Sequence, residues 1–380
     1  MRVVAREFTR WGKPASPVAF RPVRAPHYAW ARRQIGAPLE TTALLTATVR
    51  PVLALLLALS LPAIAATPNE LARAIRKCQA PDGAIAMEPG SDTVIPYFAN
   101  LAALGLVAAG DAPNAARWAD WYRARMQPNG VVDDYTGRSG AWKSAKKRDS
   151  TDSYAATWLE LMDALASGRS DAWLRARYVN VRLAVAAIRL TLQPVGLTLA
   201  KPDWPVMYTM DNTETARGLR AAARLAKRAG DAASAREWNA MAARMETAVR
   251  EKLWDVNRKC YLVGLQPDGG RMDGLSKWYP DVMANLMAIG WGPASERNRA
   301  LFARLWTQFG AEIPAAARTA DDVDRLAWWA LAARGAGDAP RTRLLLARLA
   351  AFDLARTPLD NPALLGHLCR LTAAKGVANP

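Results

Sequence analysis

The sequence predicts an all-α fold, an (α/α)6 toroid in which six helical hairpins close into a ring. Apolar residues recur at helical spacing through nearly the whole chain after residue 66, while the alternation typical of strands is hard to find. Short Gly-Asp turns also alternate with long polar connections. An antiparallel array of the tetratricopeptide type is the alternative, but its fixed period of about 34 residues is absent.

The helical spacing predicts twelve helices. They lie near residues 69–78, 94–109, 114–126, 152–167, 170–190, 212–229, 233–253, 280–289, 294–309, 322–335, 340–355 and 361–374. Three turns between them read Ala-Gly-Asp, at residues 109–111, 229–231 and 336–338, and Ser167–Asp171 is a near copy. Glycine suits the left-handed residue that ends a helix, and Asp or Ser caps the next one. Each such turn therefore predicts an antiparallel hairpin.

Long connections alternate with these tight turns. They span residues 79–93, 127–151, 191–211, 254–279 and 310–321. In a ring of hairpins these connections gather on one rim, and the helix after each of them enters the inner ring there. We therefore expect a functional site on the long loops and on the first turns of the inner helices.

The first 66 residues are set apart from the helical domain. Residues 51–66 form an uncharged apolar run after Arg50, and Ala63 and Ala65 occupy the −3 and −1 positions of a cleavage site before Ala66. This pattern predicts a secretory signal and a periplasmic or secreted protein without a stable membrane span after cleavage. Residues 1–48, rich in Arg and Pro, are either an extended leader or the product of a misplaced translation start. Residues 67–380 are expected to form a single domain.

Charge and rare residues exclude several classes of protein. Residues 1–66 hold nine of the 51 basic and two of the 34 acidic residues, which leaves the remainder with a net charge of +10. That charge suits an acidic polysaccharide, although a composition rich in Ala and Arg also explains it. Basic residues are not clustered with aromatic ones, so nucleic acid is not an expected partner. His367 is the sole histidine after residue 66, and the three cysteines lack metal-site spacing, so no metal or cofactor is expected.

Acidic and aromatic residues concentrate in the long connections. The acids that we single out as catalytic candidates are Asp211, Asp281, Asp152 and Glu214, with Glu88 as a further alternative. The residues expected to contact substrate are Trp204, Tyr208, Trp278, Tyr279, Trp142, Tyr97 and Asp149. Glycoside hydrolysis requires two carboxyl groups, one as acid and one as base or nucleophile. Carboxylates beside aromatic rings on one rim fit that chemistry.

Helix capping is the alternative interpretation of the acids. Asp211 and Glu214 have the spacing of a capping box, and Asp149 with Asp152 and Asp321 with Asp324 are variants of it. Pro280-Asp281 likewise suits a first helical turn. Capping does not explain the aromatic residues beside these acids, although packing at the rim could.

Three segments resemble the six-hairpin glycosidases, the superfamily of glucoamylases and bacterial trehalases. They are YTMDNTETARGLRAAARLAKRAGD from residue 208, KWYPDVMANLMAIGWG from residue 277 and DSTDSYAATWLELMDAL from residue 149. The resemblance spans residues 85–335 and identifies no individual family. It implies an acidic active site in the mouth of the ring and inverting hydrolysis, with Asp211 and Asp281 as the leading pair and Asp152 third.

The sequence thus predicts an exported glycoside hydrolase that acts on an oligo- or polysaccharide. Two other functions stay open. One is a non-catalytic carbohydrate-binding or exopolysaccharide-assembly protein that uses the same groove. The other is a polysaccharide lyase on an acidic glycan, with Tyr208 as the base and an arginine that holds the uronate.

Overall fold

A computed structural model describes residues 66–357, 359 and 361–373, all of which belong to one compact unit. This part of the chain contains thirteen α-helices. In chain order, α1 to α13 are Pro68–Cys78, Pro96–Ala108, Ala112–Arg123, Asp152–Ala166, Asp171–Arg175, Tyr178–Thr191, Thr209–Ala229, Ala232–Lys252, Met283–Trp291, Glu296–Phe309, Ala320–Gly335, Ala339–Leu349 and Pro362–Ala373. A π-helical turn, Trp278–Val282, precedes α9.

Six of these helices form a closed inner ring. Each packs against the next in the order α2, α4, α7, α9, α11 and α13, and α13 packs back against α2. The helices α1, α3, α6, α8, α10 and α12 pack on the outside, each against the inner helix of its own hairpin. Five inner helices follow the connections predicted to be long, and α13 follows residues 350–361, where a shorter gap was predicted. The predicted (α/α)6 toroid is confirmed.

The sixth hairpin is built from the two ends of the described chain. The outer helix α1 packs against the last inner helix α13, which also lies against α2. Gly105 of α2 and Gly366 of α13 meet at this closure, and a Cβ atom on Gly105 would overlap the backbone of Gly366. Gly218 of α7 similarly lies directly on the backbone of Ala156 in α4. Glycine thus lets the inner helices approach closely at two places.

The tight turns have the predicted backbone in three of four cases. Gly110, Gly230 and Gly337 have φ angles of +83°, +87° and +72°. The following acids differ in their roles: Asp231 and Asp338 cap the next helix, whereas the N-cap residue Asp111 makes no capping hydrogen bond. The fourth turn ends α4 in right-handed geometry at Ser167, and Ser170 caps α5.

Two helices differ most from the predicted bounds, while the others agree within about three residues at each end. The helix predicted at 170–190 is divided into α5 and α6 at Arg177, whose guanidinium bonds Asp120 of α3 through both Nε and a terminal nitrogen at 3.0 Å. The helix predicted at 340–355 ends at Leu349. Beyond it, Asp353 accepts from Ala355 N through its side chain and from Arg356 and Thr357 N through its carbonyl. These local bonds replace the helical ones.

The long connections contain eight strands that the sequence pattern did not reveal. In chain order, β1 to β8 are Thr93–Val94, Tyr135–Thr136, Lys143–Ser144, Met207–Tyr208, Trp254–Asp255, Cys260–Tyr261, Gly264–Leu265 and Arg271–Met272. They pair antiparallel as β1-β2-β3, β4-β7-β8 and β5-β6. Two residues are too few to show an alternating pattern in the sequence. The ladders nevertheless fix the paths of the loops above the ring.

The signal peptide predicted at 51–66 and the N-terminal extension lie outside the described residues, apart from Ala66. No helix in the described part of the chain is long and apolar enough to cross a membrane. Cys78, Cys260 and Cys369 are buried free thiols. The single-domain assignment of 67–380 and the cleavage site stay predictions.

Candidate active site

The candidate site lies where the inner helices begin. Tyr97 is the second residue of α2, Asp152 the first of α4, and Asp211 and Glu214 the third and sixth of α7. With a rise of about 1.5 Å per residue, all lie within about 8 Å of the start of their helices. We call this end of the ring the mouth.

Asp211 is the most crowded acid at the mouth. Its side chain is half-buried and so still meets solvent. Burial raises the pKa of Asp211 well above its ordinary value, and the neighbouring Asp152, Glu214 and Asp149 carboxyl groups raise it further. Solvent contact together with dense surroundings indicates a concave position. The raised pKa thus favours the protonated form of the Asp211 carboxyl, in a residue that keeps partial exposure at the mouth.

Glu214 lies one turn deeper and is 1% exposed. Tyr97 Oη donates to its Oε1 at 2.5 Å. Burial raises the pKa of Glu214 to about 8, against the hydrogen bond from Tyr97 and the nearby Ser153 hydroxyl, with Glu160 and Asp152 adding to the rise. At neutral pH Glu214 is mostly protonated, and its burial separates it from a ligand.

Asp152 and Asp149 differ in access although both belong to this cluster. Asp152 is fully buried, and its oxygens accept from Ser150 Oγ and Thr198 Oγ1, each at 2.6 Å, and from Ser153 N at 2.8 Å. Asp149 is exposed. Although the residue is exposed as a whole, desolvation of its carboxyl group raises the pKa of Asp149 to about 6.

Capping does not account for three of the acids at the helix starts, Asp211, Glu214 and Asp324. The N-cap of α7 is Tyr208, which makes no side-chain capping bond. At the start of α11, the capping box joins Thr319 and Asp322 instead of Asp321 and Asp324. The carboxyl groups of Asp211, Glu214 and Asp324 thus do not hold a helix end through a capping box.

Asp281, predicted as a leading catalytic acid, is held by its own loop. Its Oδ2 accepts from Ser276 N at 2.9 Å and from Lys277 N at 3.1 Å. It is 7% exposed, and a Cβ atom on Gly274 would meet its carboxyl group. These contacts give Asp281 a role in fixing the segment that enters α9. Glu88, the further alternative, is exposed in the connection before α2.

Three aromatic residues predicted as substrate contacts border the acid cluster. Trp204 Nε1 donates to Tyr208 Oη at 3.1 Å. Burial raises the pKa of Tyr208, and the charges of Asp211 and Asp149 add to that rise, so its ring lies beside both acids. Tyr279 is close enough to raise the pKa of Tyr97. Side chains from α2, α7 and the segment before α9 therefore converge.

Trp142 and Trp278 have other neighbours. Trp142 meets the edge of Trp121 of the outer helix α3, with ring centroids 6.4 Å apart. This contact places it in packing outside the acid cluster. Trp278 lies under the Arg325 guanidinium, 5.2 Å from the ring centroid, and hydrogen-bonds Asp324.

Asp324 of α11 was not among the predicted catalytic residues. Its side chain is half-buried, and burial raises its pKa to about 6 against hydrogen bonds from Trp278 and Trp328. Trp328 follows it by one turn and packs against Trp291 and His367 inside the ring. Because residues four apart share a helical face, Asp324 faces inward as well. That spacing to Trp328 was the available sequence signal, and the capping interpretation obscured it.

A charged layer lies below the acids. Arg217 of α7 donates to Glu160 Oε2 of α4 at 2.8 and 3.2 Å. Arg370 reaches this pair from α13 on the opposite side of the ring, and burial with the nearby Arg217 lowers its pKa to about 10. His367, beside Trp328, has its pKa lowered to about 3 by burial. This layer links α4, α7 and α13 below the mouth.

A crevice of about 310 Å³ lies on the outer side of α3, away from the acid cluster. It is lined by Asp82, Arg117, Asp120, Trp121, Ala124 and Arg125. Among the described residues, no group of His, Cys, Asp and Glu has the arrangement of a metal site.

Comparison with known proteins gives structural neighbours only. No protein-family model and no curated protein matches the chain. The GH63 mannosylglycerate hydrolase of Thermus thermophilus, in complex with glucose, superposes with a TM-score of 0.58 and 12% identity, over 74% of this chain and 90% of that one. A bacterial glucoamylase complexed with acarbose gives 0.54 and 14%, over 80% of this chain and 54% of that one.

A rhamnosidase of family GH78 from a Bacillus species matches at 0.53 with 15% identity, over 74% of this chain and 29% of that one. These neighbours are six-hairpin glycosidases, so the predicted resemblance is confirmed at the level of the fold. At such identities the likeness assigns no individual family and carries no activity.

Proposed function

We propose that this protein is a glycoside hydrolase that cleaves an oligo- or polysaccharide in the mouth of its ring. One observation carries the proposal: the half-buried Asp211 lies among Asp149, Asp152 and Glu214 at the start of the inner helices. Like charges so close together cannot all be ionised, so the cluster holds protons at neutral pH. The glycoside hydrolases among the structural neighbours support the same conclusion.

Asp211 is the proposed general acid. A protonated carboxyl group donates its proton to the glycosidic oxygen as the bond to the anomeric carbon breaks. Asp211 fits this role because its pKa is raised and the residue is only partly buried. Glu214 and Asp152, by contrast, are buried and hydrogen-bonded to neighbouring side chains. Those two acids are positioning residues that crowd Asp211 and keep it protonated.

Asp324 is the proposed general base. In the inner ring α11 stands two places from α7 and opposite α4, so Asp324 faces the acid cluster across the mouth. With a pKa of about 6 it is mostly ionised at neutral pH and can take a proton from the attacking water. Inverting glycosidases place their two carboxyl groups about 6.5–9.5 Å apart to admit that water. Asp281, bonded to its own loop, is not assigned to either step.

The proposed binding surface combines Tyr208, Trp204, Tyr279 and Trp278 around the two acids. Aromatic faces provide apolar contact to a sugar ring, and their polar atoms are already paired, as in Trp204 with Tyr208. We also propose that the protein acts in the periplasm or outside the cell, because residues 51–66 have the pattern of a secretory signal. N-terminal sequencing of the exported protein tests this, with a start at Ala66 expected.

Reducing-end release from a panel of bacterial and plant glycans tests the activity. We expect turnover on at least one glycan and, by NMR of the first-formed anomer, inversion at the cleaved carbon. Retained glycan binding without turnover on any member would identify a non-catalytic binding protein. An unsaturated uronate product would identify a lyase; the raised pKa of Tyr208 disfavours the phenolate that such a base would need.

A further inference from the structure

The rim of the mouth carries exposed positive charge that the proposed hydrolysis does not use. It lies on the hairpin formed by β2 and β3 and on the segment that follows β3. The residues concerned are Arg138, Lys143, Lys146 and Lys147, which we call the basic platform. All four are exposed, and none of them forms an ion pair with another described residue.

The backbone holds the platform in a defined conformation. Lys146 has a φ of 51°, in the left-handed region that a residue with a Cβ atom rarely occupies. Its N–H donates to Ser144 Oγ at 3.0 Å. Ala145 N donates to Asp134 O and Asp134 N to Lys147 O, each at 2.8 Å. Strained backbone of this kind persists where surrounding bonds fix it, and it gathers at functional sites.

The same bonds connect the platform to the acid cluster. The side chain of Asp134 accepts from Tyr154 Oη at 2.8 Å, and Tyr154 Oη accepts from Asp149 N at 3.3 Å. The Tyr154 ring stacks on Tyr97, with centroids 6.5 Å apart, and Tyr97 donates to Glu214. The side chains of Asp134 and Tyr154 therefore link the platform to the proposed catalytic site.

The acids nearby leave the platform with an excess of positive charge. Asp133 is paired with Arg148, and Asp134 is engaged by Tyr154. Asp82 accepts from Gly140 N, and Asp92 accepts from Thr93 Oγ1. Four exposed cations thus face solvent beside three exposed acids: Asp82 and Asp92, which accept from local backbone and hydroxyl donors, and Asp149, two residues after Lys147.

We infer that the basic platform binds the carboxylate groups of an acidic polysaccharide whose chain continues from the mouth over the rim. The inference rests on the proposed function and specifies its substrate class, a polymer of uronic acid residues. Ammonium and guanidinium groups on a fixed segment attract repeated carboxylates along such a chain. A neutral glycan would gain no electrostatic attraction from these four charges.

The test compares two triple variants of the full chain. K143Q/K146Q/K147Q removes three charges from the platform, and K77Q/K227Q/K252Q removes three exposed charges from the ends of α1, α7 and α8. Binding and turnover are measured on uronate polysaccharides and on the same polymers after reduction of their carboxyl groups. We expect the platform variant to bind the acidic polymer about tenfold more weakly, and the control variant to bind it like the original protein.

Four outcomes separate the platform from the proposed hydrolysis. The inference is supported if the original protein binds the acidic polymer in a salt-sensitive way and the platform variant loses that binding. If no polymer is cleaved in that case, only the proposed hydrolase activity is refuted. Equal binding or turnover of acidic and carboxyl-reduced polymers by both variants overturns the inference and leaves the hydrolase intact. Platform-dependent binding to anionic phospholipid vesicles without preference for the acidic polymer also overturns it. Failure of both polymers to bind overturns it as well.

Discussion

The hydroxyl group of Tyr97 in α2 donates a hydrogen bond to Glu214 of α7 at 2.5 Å, across the start of α4. These two helices are not neighbours in the inner ring. The hydrogen bond therefore joins three consecutive inner helices at the mouth and holds a buried acid beside Asp211. The bond therefore links α2, which takes part in closing the ring, to the acids of the proposed active site.

Removal of this donor should affect stability and titration together. Y97F leaves a buried carboxyl without its closest partner, and we expect the free energy of unfolding to fall by about 1–3 kcal/mol. Because the bond from Tyr97 lowers the pKa of Glu214, the Glu214 carboxyl group should titrate at higher pH in the variant. Denaturant unfolding and NMR titration measure the two effects. Y178F, which removes a hydroxyl bonded to Asp231 on the outside of the ring, is the control. An unchanged titration of Glu214 in Y97F would show that the bond is not formed.

The stability of the protein should decrease as pH rises from mildly acidic to mildly basic. Folding raises the pKa of Glu214 from 4.5 to about 8, so between these values the folded state binds more protons than the unfolded state. Stability then falls with pH, by up to about 1.4 kcal/mol per pH unit for one group. Denaturant unfolding at several pH values should show this slope, and E214Q should reduce it. An equal slope in both proteins would contradict the raised pKa.

Closure of the ring depends on the contact between Gly105 and Gly366. A Cβ atom on Gly105 would overlap the backbone of α13, and backbone cannot move aside as a flexible side chain can. We expect G105A to reduce the free energy of unfolding by about 2–3 kcal/mol. G168A is the matched control, because an added Cβ there meets nothing within 4 Å. Equal stability of the two variants would mean that α2 and α13 do not meet as described.

The rate of hydrolysis should depend on the ionised form of Asp324. Its pKa of about 6 predicts that kcat/KM decreases about tenfold per pH unit below pH 6, as the base becomes protonated. D324N should remove most activity at every pH, while D203N, at an exposed acid of the 192–208 connection, should keep the original profile. A D324N protein with normal activity would assign the base elsewhere, with the exposed Asp149 as the next candidate.

The fold could be predicted because its signals are local. Helical spacing and the glycines at 110, 230 and 337 act within a few residues, so they are visible in the sequence. The break at Arg177 could not be predicted, because its partner Asp120 lies on another helix. The two-residue strands were equally invisible, since their pairing depends on loops far apart in the chain.

The site was predicted less completely than the fold, for the same reason. Asp211, Asp152, Glu214, Tyr97 and Tyr208 were all singled out, and the structure brings them together at one end of the ring. Asp281 and Asp324 have the same local sequence character, an acid near a helix start. Only the three-dimensional contacts distinguish them: backbone donors hold Asp281, whereas the carboxyl group of Asp324 lies beside indole groups.

The most direct test of the proposed mechanism is the kcat/KM of D211N, measured beside D203N on the glycan of the panel that the original protein cleaves fastest. Loss of the general acid should lower kcat/KM by about 100-fold or more, because acid catalysis contributes about 10²–10⁴-fold. D203N should retain the original value, and both proteins should unfold at similar temperatures. Activity of D211N within about threefold of the original protein would contradict the assignment of Asp211 and with it the proposed mechanism.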